Sequence, residues 1–407
     1  MKSETRAVTL QETPSANRIH IGFFGKRNSG KSSLLNAFAG QRVSIVSDQA
    51  GTTTDPVSKP MEIHGLGPCI LMDTAGFDDE GILGQQRVEK TRQAAEKTEI
   101  ALLLCGEGDL AAEKHWYQFF RGRQTPVIVT VSKGDDREKA QALADRVKEE
   151  LGEQALIVSA RERSGLDELR ERLLRALPEA WEPADITGTL VSEGDMVLLV
   201  MPQDIQAPAG RLILPQVQTI RELLDKKCMT VCVTADHLAK ALQALKEPPA
   251  LIITDSQVFP AVYRQKPKDS LLTSFSVLFA AYKGDVEYYI QSARQLGALR
   301  EDSSVLIAEC CTHAPLAEDI GRVKLPRMLR ERCGSGLRVD MVSGMDFPDD
   351  LTGYDLIIQC GGCMFNRRYI LSRTERARSQ GVPMTNYGVA LAWLGGILDQ
   401  VAVRGKT

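Results

Sequence analysis

Short, almost purely apolar runs alternate along this chain with longer stretches in which apolar residues recur every three or four positions. Between residues 18 and about 180 the runs Ile19–Gly25, Cys69–Asp73, Ala101–Cys105, Val127–Ser132 and Ala155–Ser159 read as strands separated by amphipathic helices. Strands buried on both faces are continuously apolar, and their alternation with helices predicts a mostly parallel sheet. Pro178–Pro183 breaks the pattern and reads as a linker. A smaller alternation follows, with strands at Met196–Met201, Met229–Thr234 and Ala250–Thr254 and a helix over Pro215–Lys226. A third has strands at Val305–Cys310, Leu337–Val342, Asp355–Cys360 and Val382–Asn386. The expected fold class is α/β throughout. A flexible arm at 1–17 precedes an N-terminal domain with a mostly parallel sheet at 18–180, then two smaller α/β domains at 185–268 and 269–407. No internal repeat or low-complexity tract is evident.

Composition narrows the classes. A length of 407 residues with 43% hydrophobic content suits a globular protein of two or three domains. A formal charge of −3 gives no reason to expect a nucleic-acid partner. No apolar run approaches the ~20 residues that span a bilayer, so no membrane partner is expected. Met1–Asn17 is polar, without an apolar signal region, which predicts a cytoplasmic protein. The nine cysteines sit mostly at the ends of apolar runs. In the cytosol such cysteines are core residues or metal ligands more often than disulfides.

Gly25-Lys26-Arg27-Asn28-Ser29-Gly30-Lys31-Ser32 follows a strand and opens a helix, the context a P-loop requires. The fold class of 18–180 is thereby sharpened to a P-loop nucleoside triphosphatase domain; on the base-reading motifs that follow, it is expected to be a P-loop GTPase domain that hydrolyses GTP. Gly25, Ser29, Gly30 and Ser33 are expected around the phosphates, at a helix N-terminus whose N–H groups favour anions. Lys31 is expected on the β- and γ-phosphates and Ser32 on Mg²⁺. Asp73-Thr74-Ala75-Gly76 ends a strand; Asp73 can hold the Mg²⁺ shell and the Gly76 N–H can meet the γ-phosphate. Between them, Gly51-Thr52-Thr53-Thr54-Asp55 lies where a first switch loop belongs, with Thr53 as the expected Mg²⁺ ligand. Lys31, Thr53 and Gly76 are thus the candidate catalytic residues. Ser132-Lys133-Gly134-Asp135 resembles the guanine-reading signature, although Ser132 replaces its usual Asn or Thr. Asp135 can accept from guanine N1–H and the 2-amino group, and Lys133 can lie over the base. Val158-Ser159-Ala160 matches the last guanine loop through Ser159 and Ala160. Phe77 follows Gly76 where Ras-like enzymes carry a water-orienting glutamine. Asp79 and Glu80 are alternatives for that task, or simply solvated loop residues. Asn28 together with the Gly-Thr-Thr-Thr-Asp segment resembles the TrmE–Era class. There such an asparagine can help bind K⁺, which would make hydrolysis K⁺-stimulated; the competing role is a loop-stabilising hydrogen bond.

Cys311-Thr312-His313 follows one expected strand and Cys360-Gly361-Gly362-Cys363 follows another. Ligands of open α/β sheets collect at strand carboxyl ends, so these cysteines could converge on one metal. Three thiolates suit an iron–sulfur cluster with an open iron; a Cys₃His zinc site, a redox disulfide and plain core cysteines remain alternatives. His313 is either a ligand or a hydrogen-bonded neighbour. Cys310 is expected to face away from Cys311 into the core if the strand continues. Cys69, Cys105, Cys228 and Cys232 read as core residues, and Cys333 as a bystander at a helix end.

Beyond these motifs, the stretch Gly210–Ile220, the segment Asp319-Ile320-Gly321-Arg322-Val323-Lys324 and Cys360-Gly361-Gly362-Cys363-Met364 resemble the FeFe-hydrogenase maturation GTPases, the HydF family, over essentially the whole chain. The resemblance implies a middle dimerisation domain and a last domain binding a 4Fe–4S cluster through Cys311, Cys360 and Cys363. It implies a homodimeric scaffold that carries a transient di-iron subcluster to apo FeFe-hydrogenase, with two radical-SAM maturases as further partners. GTP or GDP, Mg²⁺, K⁺ and the cluster would be its cofactors. The family often has His immediately before the Cys-x-x-Cys; here Gln359 occupies that position, which excludes a histidine ligand from it. The competing readings are a metal-sensing TrmE–Era-type GTPase acting on RNA or ribosomes, and a GTPase with a structural zinc domain.

Overall fold

The computed structural model describes residues 14–40, 57–63, 65–77, 81–177, 185–202, 212–310 and 320–404. Two compact units divide the chain, Met1–Glu182 and Pro183–Thr407.

The first unit is built on a six-stranded sheet. Its strands are β1 (Ile19–Gly25), β2 (Val57–Ile63), β3 (Gly67–Asp73), β4 (Ile100–Cys105), β5 (Val127–Val131) and β6 (Leu156–Ile157), in the order β2-β3-β1-β4-β5-β6. All neighbours are parallel except β2 and β3. Every residue of β1 and β4 is buried, which is why these segments are apolar without alternation. β2 escaped the hydrophobic reading for a physical reason. Its sequence Val-Ser-Lys-Pro-Met-Glu-Ile carries Pro60 in mid-strand, which is tolerated because β2 is an edge.

The second unit holds two four-stranded parallel sheets. The first contains β7 (Met196–Val200), β8 (Met229–Val233), β9 (Leu251–Thr254) and β10 (Leu271–Ser274), ordered β10-β9-β7-β8. The second contains β11 (Ser304–Ala308), β12 (Arg338–Val342), β13 (Leu356–Gln359) and β14 (Met384–Asn386), ordered β12-β11-β13-β14. One continuous apolar core runs from Leu198 and Ile252 of the first sheet to Leu306 and Ile357 of the second. The helix Phe275–Lys283 packs against the helices Leu214–Asp225, Arg367–Ser379 and Tyr387–Leu394. Its apolar character on nearly every face fits that enclosure, and the Ser274 hydroxyl caps its start by accepting from Val277 N–H at 3.2 Å. One cysteine expectation is corrected here: Cys232 is exposed, because β8 is an edge strand and not a core one. No helix among the described residues is long and apolar enough to cross a membrane.

Candidate functional site

In the first unit the chain leaves β1 through Gly25 and winds into the helix Lys31–Phe38. A side chain at Gly25 would place its Cβ 2.6 Å from both the Leu104 carbonyl oxygen and Ser29 Oγ, so the loop closes only on glycine. Asn28 and Gly30 take left-handed conformations, with φ of 60° and 91°. The Lys31 ammonium lies across the loop, donating to the carbonyls of Gly25 at 2.9 Å and Lys26 at 2.7 Å. Ser32 Oγ donates to the Asp73 carboxylate, so the two expected Mg²⁺-side groups meet. Burial raises the Asp73 pKa, opposed by the Ser32 hydroxyl and the Lys31 charge. Thr74 fixes the exit from β3 by donating to the Phe23 carbonyl at 2.6 Å.

The base-side loops join the same cleft of about 550 Å³, which is lined by Asn28, Lys31, Ser33, Lys133, Asp135 and Ala160 among others. Ser132 Oγ donates to the Ser29 carbonyl, so the serine that departs from the guanine signature links the base loop to the phosphate loop. Lys133 has φ 61°, and Gly134 N–H donates to the Val158 carbonyl at 3.0 Å. The Ser159 hydroxyl accepts from Glu162 N–H at 3.0 Å and shapes the last loop. Arg161, which sequence reasoning passed over, lines the cleft and approaches Asp135 at 3.9 Å. Gly76 is buried, and Phe77 stacks on Trp116, which in turn stacks on Phe24. Thr53, Asp79 and Glu80 lie outside the described residues.

In the second unit the strand order reverses between β11 and β13, the crevice where open sheets bind ligands. Cys310 follows β11 there, and Cys360 and Cys363 follow β13. β11 ends at Ala308, so the strand alternation that set Cys310 apart does not reach it. Its thiol is buried as expected, yet its backbone N–H donates to Cys360 Sγ at 3.0 Å. Hydrogen bonding from Cys310 lowers the Cys360 pKa against the effect of burial, with the Gly362 N–H assisting, so the thiolate is favoured. By contrast, burial pushes the core thiols of Cys69 and Cys105 up to about 12. Gly362 turns the Cys-x-x-Cys with φ 63°, and a Cβ there would sit 2.5 Å from Ile370 Cδ1. Cys311 and His313 lie outside the described residues, among which no group of three or more potential metal ligands is found.

Two further residues join this site that no local pattern announced. Lys283, at the end of the apolar helix Phe275–Lys283, is 2% exposed. Its ammonium donates to the carbonyls of Gly362 at 2.9 Å, Phe365 at 2.8 Å and Cys363 at 3.4 Å. Burial pulls its pKa down to about 8, opposed by the charges of Cys363, Cys310 and Cys360. Arg373 is 1% exposed, with one guanidinium nitrogen 3.6 Å from Cys310 Sγ. A lysine closing a helix is ordinarily read as a solvated charge at the negative end of the dipole, which hid the first. The thiolate-favouring hydrogen bonds, the glycine turn and the buried cations together suit an anionic sulfur-ligated group.

Residues 20–133 match the family model described as 50S ribosome-binding GTPase. Residues 186–284 match the hydrogen maturase F dimerization domain and 287–403 the hydrogen maturase F tetramerization domain, together more than half of the chain. Over 164 residues the chain is 37% identical to the tRNA modification GTPase MnmE of Chromobacterium violaceum, covering 39% of this chain and 35% of that protein. Over 98 residues it is 48% identical to the GTPase Der of Wolinella succinogenes, covering 23% and 20%. The chain therefore spans only a fifth to about a third of the length of these curated relatives. Among solved structures, Era in complex with MgGDPNP and a segment of 16S ribosomal RNA aligns with a TM-score of 0.34 and 22% identity, covering 53% of this chain and 91% of that one.

Proposed function

Since this chain belongs to the hydrogen maturase F family, we propose that it is a GTP-hydrolysing scaffold that assembles the di-iron subcluster and delivers it to apo FeFe-hydrogenase. The observation that carries this reading is the joining, in one chain, of a P-loop cleft with a cysteine site at a sheet switch point. In the first unit Lys31 would contact the β- and γ-phosphates, Ser32 and Thr53 would ligate Mg²⁺ with Asp73 behind them, and the Gly76 N–H would sense the γ-phosphate. Lys133, Asp135, Ser159 and Ala160 would read guanine. Asn28 would help hold a K⁺ that supplies positive charge in place of an arginine finger; equal hydrolysis rates in NaCl and KCl would refute this role.

In the second unit Cys311, Cys360 and Cys363 would ligate a 4Fe–4S cluster. Such a cluster, held by three thiolates, supplies one iron whose remaining ligand can be exchanged. The chain's own residues favour the Cys360 thiolate and set the turn between Cys360 and Cys363. Gln359 brings no histidine, so the fourth position would be open, or held by water, His313 or a nearby carboxylate. The transient di-iron subcluster is the cargo, received through the two radical-SAM maturases. Nucleotide state would act as a switch between two partner affinities, because a GTPase offers two conformations that partners can distinguish. The dimerization and tetramerization models, matched by residues 186–284 and 287–403, support an oligomer; 185–268 would be the dimerisation domain and 269–407 the cluster-binding domain of a cytoplasmic protein.

The test is anaerobic reconstitution with iron and sulfide, EPR of the reduced protein, then mixing with apo-hydrogenase. Hydrogen evolution only after addition of the loaded protein supports the carrier role. A colourless, EPR-silent protein holding one tight zinc refutes it. A GTPase acting on tRNA or ribosomes draws support from the names of first-unit relatives, but those matches leave the cysteine-bearing unit without a task.

A further inference from the structure

The cysteine site buries two cations that form no ion pair among the described residues, Lys283 and Arg373. Removing a charge from water is strongly unfavourable unless an opposite charge or a full set of hydrogen bonds compensates. Lys283 finds three backbone carbonyls, all in the loop that carries Cys363. Arg373 is caged by aromatic rings, with its guanidinium carbon 4.8 Å from the centroids of Phe347 and Tyr369 and 5.5 Å from that of Phe365. Its Nε has no hydrogen-bond partner among the described residues, and another nitrogen faces Cys310 Sγ. Arg373 also donates to the Gly344 carbonyl and, at 3.3 Å, to the Tyr369 hydroxyl. Among the described residues, the ionisable groups beside the two cations are the thiols of Cys310, Cys360 and Cys363.

Resting on the reading of this site as an iron–sulfur site, we infer that Lys283 and Arg373 are its fixed counter-charges. Lys283 positions the Cys360-Gly361-Gly362-Cys363 turn through its carbonyls, and both cations favour the more reduced, more negatively charged form of the bound cluster. Lys283 also lies within the dimerization segment while its targets lie in the tetramerization segment. The site is therefore completed by a residue from the neighbouring segment.

The test uses the full chain, reconstituted anaerobically with iron and sulfide, with the cluster midpoint potential read by EPR-monitored titration. Lys283→Gln keeps amide donors for the carbonyls but loses the charge; Lys283→Met loses both. Both variants are expected to shift the midpoint to more negative potential, by about tenfold in the reduction equilibrium, or 59 mV for one electron. Lys283→Met alone is expected also to retain less iron per chain. Arg373→Gln is expected to shift the midpoint in the same direction, and Arg373→Lys, which keeps the charge, to restore it. A role confined to holding the loop would change iron content and leave the midpoint unmoved. Midpoints equal to wild type in Lys283→Gln and Arg373→Gln overturn the inference while the wild-type cluster stands. A wild type that takes up no iron and sulfide overturns the cluster reading, and the counter-charge inference with it.

Discussion

Lys31 and Lys283 are both buried lysines that aim their ammonium groups at the carbonyls of a loop leaving the carboxyl end of a strand. Lys31 bonds to residues five and six positions back in its own loop. Lys283 reaches residues 79 to 82 positions ahead, from the end of a helix that packs on four others. The lysine of the nucleotide loop is therefore held locally, by one strand, one turn and one helix, although Ser132 and Asp73 reach the loop from other strands. The cysteine loop is a tertiary device, whose Cys363 half gains its three lysine bonds when the helix Phe275–Lys283 is docked. Whatever loosens that docking should release the cysteine loop and leave the P-loop untouched.

The largest effect expected from dividing the two is on turnover. Lys31→Ala should lower the GTP hydrolysis rate about 100- to 1000-fold, the usual result of deleting a donor to transition-state charge. Iron uptake by the second unit should be unchanged, and a parallel loss of iron in that variant would break the separation. Next in size, Asp135→Asn should weaken guanine nucleotide binding about 10- to 100-fold by replacing a charged acceptor. Displacement of a labelled nucleotide should then favour xanthosine over guanosine phosphates; unchanged preference would remove Asp135 from base reading. A smaller effect is expected from Gly362→Ala, which forces a left-handed backbone on a residue with a Cβ at roughly 1–2 kcal/mol, beside the contact with Ile370. Calorimetry should show only the second unit's transition moving down.

The smallest effect concerns the P-loop's outer support, where Lys26 pairs with the buried Glu113 at 3.2 Å. Burial holds the Glu113 carboxyl above the ordinary glutamate range even though Lys26 pulls the other way. The folded state thus binds this proton more tightly than the unfolded state. Its stabilising contribution is complete below the ordinary glutamate pKa and is lost as pH rises through the raised one. Glu113→Gln should remove that decline in denaturation of the first unit across the acid range, with the second unit unaffected. A decline of the same slope in the variant would assign it to another group.

The same contrast explains what could be read from residues alone. β1 and the P-loop were legible because their determinants are contiguous: seven buried residues, then glycines at the places where backbone must approach backbone. β2 was missed because an edge strand tolerates Pro60 and need not be apolar. The exposure of Cys232 depends on the order of strands in a sheet, which its neighbours in sequence do not encode. Cys310 joined the site because β11 stops two residues before it, a matter of boundary that periodicity cannot resolve. Lys283 and Arg373 were invisible because their meaning lies in partners far along the chain.

The antiparallel register of β2 and β3 puts Val57 directly opposite Asp73. The chain enters this hairpin and leaves it across a single rung, while the far end is closed by the short turn between Ile63 and Gly67. The hairpin is thus a zipper with its open end at the residue that meets Ser32. Fraying from that end would part Val57 from Asp73 first. Amide exchange should accordingly quicken along the ladder from Ile63 toward Val57, a gradient that makes the rung at Asp73 the first to loosen.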